Sequence, residues 1–214
     1  MTKKVIITGA ASDIGRALAA EFAHGGFDLF LTGRGASELE RTAARCAEKF
    51  RVRADYLPVE LSDPASTGRL LAAVSGREFD ILVNSPETGE TEWPAAGANE
   101  NLPLLGRRFA SMIRLTKSVL AKMIRRRSGR ILNVAPACSV AGFPELTADE
   151  FYKTSVLSFS AALENELKNF GITVTVGCFE TEAAGPKSGR RKEKLIARAL
   201  YRQTMRGNNI AVTL

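Results

Sequence analysis

The sequence predicts an α/β protein: a doubly wound parallel sheet of seven strands with helices on both faces, folded as a single domain. Three observations predict it. Short β-branched runs alternate with longer amphipathic stretches along the whole chain, the pattern that parallel strands joined by helical crossovers leave behind. The first strand and helix are joined by a glycine-bearing turn, Val5-Ile6-Ile7-Thr8-Gly9-Ala10-Ala11-Ser12-Asp13-Ile14-Gly15. The length of 214 residues, 45% of them apolar and 25% charged, suffices for one large core, and no internal repeat or linker divides the chain.

Strands are expected at Lys4–Thr8, Asp28–Thr32, Arg53–Pro58, Asp80–Asn84, Arg130–Ala135, Thr173–Cys178 and Asn209–Thr213. Helices are expected near Asp13–Ala23, Ser37–Phe50, Ala65–Val74, Leu104–Arg126, Thr147–Phe170 and Arg191–Arg206. Gly25-Gly26, Gly171 and Gly207 follow the first, fifth and last helices, where a left-handed residue closes a helix. His24, the single histidine, precedes Gly25 and complements the helix dipole there. Thr147-Ala148-Asp149-Glu150 reads as a capping box at the start of the fifth helix. Two irregular segments, Ser85–Pro103 and Phe179–Arg190, follow the carboxyl ends of strands, where open α/β sheets bind ligands, and are expected to wall a cleft.

Composition narrows the function classes. No apolar run approaches membrane-spanning length, and Met1-Thr-Lys-Lys leads straight into Val5 without a signal peptide's apolar stretch, so cytoplasmic residence is expected. Cys46, Cys138 and Cys178 are odd in number and widely spaced, which fits reduced thiols and no metal cluster. The formal charge of +7 gathers at Arg107-Arg108, Arg125-Arg126-Arg127 and Lys187 to Lys194 without a recognition motif or interleaved aromatics. Solvated helix faces account for it, and nucleic acid is not an expected partner.

Close approach of the backbone to a pyrophosphate requires glycine, and the helix start that follows presents N–H groups to the anion. Gly9 and Gly15 meet that need. Arg34, after the second strand, is placed to pair with the 2′-phosphate of NADP; a solvated arginine in a turn is the other reading.

These residues, with Ile81-Leu82-Val83-Asn84, Gly129-Arg130-Ile131-Leu132-Asn133-Val134 and Val156-Leu157-Ser158-Phe159-Ser160, resemble the short-chain dehydrogenase/reductase family from Lys4 to Leu214. The resemblance implies a Rossmann fold, NADP(H) as cofactor, interconversion of small carbonyls and alcohols, and a dimer or tetramer. It implies a cofactor site made of Thr8, Gly9, Ser12, Asp13, Ile14, Gly15, Arg34, Glu60, Leu61, Asn84 and Lys153.

Several positions depart from the family's pattern. Asp13 stands at the middle glycine of the Thr-Gly-x-x-x-Gly-x-Gly loop, either repelling the pyrophosphate or capping the helix. Asn84-Ser85-Pro86-Glu87 replaces Asn-Asn-Ala-Gly, and Phe179-Glu180 replaces Pro-Gly, so three cofactor loops each gain an acid. The family's catalytic group is Asn, Ser, Tyr and Lys, the last two spaced Tyr-x-x-x-Lys to share a helix face. An ungapped alignment keeps Lys153 but puts Asp149 at the tyrosine, Pro136 at the serine and Arg108 at the asparagine. A rival register uses Ser139 and Tyr152, thirteen positions apart, and then places Val156 at the lysine. Asp149, four residues before Lys153 in a helix's first turn, is favoured as an anion paired with that lysine.

Three readings follow. The first is a degenerate family member that binds a dinucleotide weakly or not at all and acts by oligomerising, as a homodimer or with a related intact subunit, through the helices Leu104–Arg126 and Thr147–Phe170. The second is an active NADP(H)-dependent carbonyl reductase using Tyr152 or Ser139 with Lys153. The third, ranked last, is a protein whose basic surface binds a polyanion.

Overall fold

The computed structural model describes residues 2–85, 98–137, 148–180, 189–208 and 212–213. Among these residues seven parallel strands form one sheet in the order β3-β2-β1-β4-β5-β6-β7. They are β1 (Lys4–Ile7), β2 (Asp28–Gly33), β3 (Ala54–Pro58), β4 (Ile81–Asn84), β5 (Gly129–Ala137), β6 (Ile172–Glu180) and β7 (Val212–Thr213). The helices are α1 (Asp13–His24), α2 (Ala36–Phe50), α3 (Pro64–Ser75), α4 (Ala98–Arg126), α5 (Ala148–Leu167) and α6 (Gly189–Arg206). This is the doubly wound architecture expected from the alternating pattern.

The sheet is buried on both faces, which is why its strands read as unbroken apolar runs rather than alternating ones. Val5, Ile7, Leu29, Leu31, Ile81, Val83, Leu132 and Val134 face one way, against Leu18 and Phe22 of α1, Leu39 of α2 and Ile196 and Leu200 of α6. Their strand neighbours Ile6, Phe30, Leu82, Ile131 and Val174 face the other, against Leu70 of α3, Leu115 and Met123 of α4 and Leu163 and Leu167 of α5. A strand's period of two thus feeds two cores from one sequence run.

Boundaries differ from expectation where a neighbour decides them. β6 runs on through Phe179 and Glu180, expected as loop, because β5 continues beside it as far as Ala137. Beyond Asn133, β5 pairs with β6 alone, so Pro136 lies where the strand has one partner and its missing N–H is tolerated. α4 begins at Ala98, a turn and a half before the expected Leu104, with Pro103 inside it; proline's φ is already helical, and only one backbone donor is lost. α5 ends at Leu167 and tightens into a 3-10 turn over Lys168–Phe170 before Gly171 takes a φ of 68°. Gly207 adopts φ 72° after α6, and His24 closes α1, as the stop signals predicted.

Three of the basic side chains tie element ends together. Arg126 donates to the carbonyl oxygens of Ser128 (2.8 Å) and Phe79, and Arg127 to that of Asn169. Arg130 donates to the Thr204 and Met205 oxygens at the carboxyl end of α6, where a cation also meets the helix dipole. Cys46 and Cys178 are buried thiols. Among the described residues no helix is long and apolar enough to cross a membrane, and no group of side chains could hold a metal ion.

Candidate cofactor cleft

Strand order reverses between β1 and β4, and the crevice at their carboxyl ends is where a doubly wound sheet takes a ligand. Thr8 ties the two strand ends together: its hydroxyl donates to the Ser85 carbonyl and accepts from the Ser85 N–H, both at 3.1 Å. Gly9 follows with φ 61°, a left-handed turn that favours glycine. The loop then folds back so tightly that a Cβ on Gly15 would lie 2.0 Å from the Gly9 carbonyl oxygen. Both glycines are therefore required by the loop itself, before any ligand is considered.

Ser12, not Asp13, caps α1. Its hydroxyl accepts from the Gly15 N–H at 3.1 Å and donates to the Gly9 carbonyl at 2.8 Å, leaving Asp13 as the first helical residue. The capping role expected of Asp13 is thus displaced by one position, because only the Ser12 side chain reaches the third amide of the turn. The Asp13 carboxylate is 60% exposed and paired with Arg16, which also donates to the Ala11 carbonyl. Ile14 is buried in the core beneath the loop.

Behind the crevice runs a buried polar chain. Asn84 Nδ2 donates to Thr116 Oγ1 (3.1 Å) and to Asn133 Oδ1 (2.8 Å); Asn133 Nδ2 donates to Ser160 Oγ (2.8 Å); and Ser160 Oγ donates to the Val156 carbonyl (2.6 Å). The chain links β4, α4, β5 and α5. At its head Asn84 Oδ1 is buried with no partner among the described residues, as is the neighbouring Ser85 Oγ. Buried oxygens left without a donor are costly, and a polar ligand at the end of β4 would satisfy them.

On the other side of the crevice Arg34 and Glu60 leave the ends of β2 and β3, which pair through Gly33 and Pro58. Arg34 Nε lies 3.5 Å from Glu60 Oε2, and Arg108 Nε of α4 lies 3.7 Å from Glu60 Oε1. Ser62 holds the same carboxylate from below, through its hydroxyl (2.6 Å) and its N–H (2.9 Å). Burial acts to raise the Glu60 carboxyl, but the Ser62 hydrogen bonds and the charges of Arg108 and Arg34 together outweigh it and hold the group below its ordinary value. Leu61 is half-buried against the core, and its carbonyl accepts from Thr67 Oγ1 at 3.3 Å.

The candidate catalytic residues do not all fall within view. Ser139 and the capping Thr147 lie outside the described residues, as do the side chains of Pro136, Asp149 and Phe179. Tyr152 is half-buried, its ring edge-on to Phe109 with centroids 6.3 Å apart. Burial pushes its phenol up to about 12, and the charge of Arg108 pulls the other way. Lys153 follows on α5, about 100° around the helix from Tyr152, and is half-buried. Val156, four residues beyond Tyr152, is fully buried among Met112, Ala135, Val176 and Cys178.

Sequence reasoning missed Asn133, Thr116, Ser160 and Ser62 as parts of this site. The signal for Asn133 was present: one amide amid the apolar run Ile131-Leu132-Asn133-Val134 must find partners when buried.

A doubly wound sheet with a glycine loop at its switch point is the architecture that dinucleotide-binding α/β proteins share. The family model for short chain dehydrogenase matches residues 3–191, and the chain belongs to that family. It is 34% identical over 183 residues to mouse (Mus musculus) dehydrogenase/reductase SDR family member 7, covering 79% of this chain and 52% of that protein. The chain spans about half the length of the curated relatives it matches. A short-chain dehydrogenase from Sphingobium yanoikuyae, solved with NADPH, superposes with a TM-score of 0.85 at 22% identity, covering 98% of this chain and 87% of that one. L-sorbose reductase from Gluconobacter frateurii, solved with NADPH and L-sorbose, gives 0.71 at 28% identity over 84% of this chain and 68% of the other.

The residues present fit a dinucleotide. The Gly9–Gly15 loop and the amino end of α1 suit a pyrophosphate, and the orphaned Asn84 and Ser85 oxygens suit a polar group at the end of β4.

Proposed function

We propose that this chain is a short-chain dehydrogenase-type protein that keeps an NADP(H) cleft but lacks the family's proton-donating group, so that it is weakly active or non-catalytic and acts through a subunit partner. Thr8, Gly9, Ser12, Gly15, Arg34 and Asn84 would hold the cofactor, which when bound supplies hydride chemistry; the chain must then deliver a proton to a carbonyl oxygen. The observation that carries the proposal is the surroundings of Tyr152. Its phenol is pushed up to about 12, its ring packs on Phe109, and the position one turn on, where a lysine would lower the phenol, is the buried Val156. In the ungapped register Lys153 keeps its place while Asp149 stands at the donor position, where the family has a phenol. The L-sorbose reductase and the Sphingobium enzyme, both solved with NADPH, support NADP(H) as the cofactor. The proposal includes a homodimer, or a mixed oligomer with a related subunit, through α4 and α5. It also includes residence in the cytoplasm, whose reducing poise suits the thiols of Cys46 and Cys178.

One observation favours a second reading, an active NADP(H)-dependent carbonyl reductase with unusual groups. The Arg108 charge reaches Tyr152 and acts in the direction that a catalytic lysine would. Calorimetric titration with NADPH and NADH, paired with NADPH oxidation over a panel of small ketones and aldehydes, separates the two. NADPH binding without carbonyl-dependent oxidation is the expected result. Turnover that Tyr152→Phe abolishes would refute it in favour of the second reading.

A further inference from the structure

We propose that the outward face of α6 is a docking surface for an anionic phospholipid bilayer. The inference is independent of what the cleft binds.

At about 100° per residue, Arg191, Lys194, Arg198, Arg202 and Arg206 fall within an arc of about 120°, and they run about 22 Å along the helix. All five are exposed, and none has a side-chain hydrogen bond or ion pair among the described residues. The opposite arc holds Ile196, Ala197, Leu200 and Thr204, all buried, together with Glu193, the single acid of the helix. The outward arc is therefore a row of cations with no acid between them. Leu195 stands within the same arc and is 64% exposed.

Helix stability does not explain the row. Arg191 and Lys192 lie in the first turn, which holds no acid, so they meet the positive end of the helix dipole. Lys194, Arg198, Arg202 and Arg206 succeed one another at four-residue spacing, and each like-charge pair weakens the helix. An anion laid along this face relieves both penalties.

A flat anionic surface is the occupant that the face fits. A straight row about 22 Å long meets a plane along its whole length, and the long side chains reach headgroup phosphates. Leu195 then sits at the boundary between headgroups and acyl chains, where an apolar side chain leaves water. The inward arc is packed on the core, so the helix lies on the bilayer and does not enter it. A second copy of this face brings the same five charges and is repelled. Nucleic acid would leave Leu195 without a role, and the one ring of the helix, Tyr201, is turned onto Phe22 with centroids 5.1 Å apart, unavailable to stack on bases.

The test is flotation of the full chain with vesicles of phosphatidylcholine, alone or containing about 30% phosphatidylserine. Binding to the anionic vesicles only, lost as salt rises from about 0.1 M to about 0.5 M, is the expected result. Each cation near such a surface adds roughly fivefold in affinity, so Arg198→Gln combined with Arg202→Gln should lower partitioning about twentyfold. Leu195→Ser should lower it severalfold without altering its salt dependence. The control pair, Arg45→Gln with Lys49→Gln, removes the same charge from α2, whose exposed surface also carries Glu40 and Glu48, and should change partitioning by less than about threefold. Thermal melts verify that every variant is folded. Equal losses for the two pairs, or no binding to anionic vesicles, would overturn the proposal. Displacement from the vesicles by poly(U) at equal phosphate concentration would overturn it in favour of a nucleic-acid partner.

Discussion

Replacing Asn133 by alanine tests whether the buried polar chain behind the cleft is a structural unit. Asn133 is fully buried and makes two side-chain hydrogen bonds of 2.8 Å, accepting from Asn84 and donating to Ser160. Each such bond contributes about 1 kcal/mol net, and truncation also leaves a small cavity worth about 1 kcal/mol more. The expected loss is about 3 kcal/mol, which for a chain of this length lowers Tm by roughly 6–12 °C. Urea unfolding followed by far-UV circular dichroism measures it, with an unchanged m-value showing that the denatured state is unaffected. Ser160→Ala should cost about 1–2 kcal/mol by itself, because the Asn133 amide loses its acceptor. The double variant should cost less than the sum by at least about 0.5 kcal/mol, since both single changes break the same bond. A loss below about 1 kcal/mol for Asn133→Ala, or strict additivity in the cycle, would refute the chain as a coupled unit.

Two further outcomes follow from the cleft's geometry. Gly15→Ala drives a methyl to 2.0 Å from the Gly9 oxygen and 2.9 Å from Ala10 Cα, both backbone atoms. The loop must shift, so the variant should lose about 2 kcal/mol of stability in urea together with any NADPH affinity; wild-type values of both would show the loop to be slack. The Tyr152 phenol, pushed up by burial to about 12, remains neutral in the native state while the unfolded chain ionises near its ordinary value of about 10. Its contribution to stability is thus fully present below pH 10 and is lost as pH rises toward 12, a loss that Tyr152→Phe should flatten in alkaline urea titrations. Co-titration of all three tyrosines near pH 10 by tyrosinate absorbance would contradict this assignment.

The sheet was legible in the sequence because burial on both faces writes each strand as a continuous apolar run. The strand Val5-Ile6-Ile7 splits its side chains between two cores without leaving a polar mark on either. The glycine loop was legible for a related reason: left-handed backbone at Gly9 and the absence of space at Gly15 leave few other residues possible. The cap of α1 was read one residue late because Ser12 and Asp13 are both good capping types, and only the reach to the Gly15 amide distinguishes them. Glu60 and Arg108 lie 48 positions apart on elements whose packing no local period encodes, so their pairing became visible only in three dimensions. The end of β6 was hidden likewise, since Phe179 and Glu180 are extended by the strand beside them rather than by their own propensity.

The acids around the cleft differ in physical consequence. Asp13 stood out most in the sequence, yet its carboxylate is turned outward onto Arg16, where solvent and the arginine together spend most of its field. Glu60 drew no attention as an intruder, yet it is anchored by Ser62 and shared by two arginines, one of them largely buried. A charge acts on a ligand according to how firmly it is held and how little water surrounds it, not according to how unusual its position looks in a pattern. On that argument Asp13 disturbs an anion at the glycine loop less than its place in the pattern suggests. Asp13→Gly should therefore change NADPH affinity by less than about threefold in a calorimetric titration, and a tenfold or larger gain would show that the carboxylate does reach the loop's ligand.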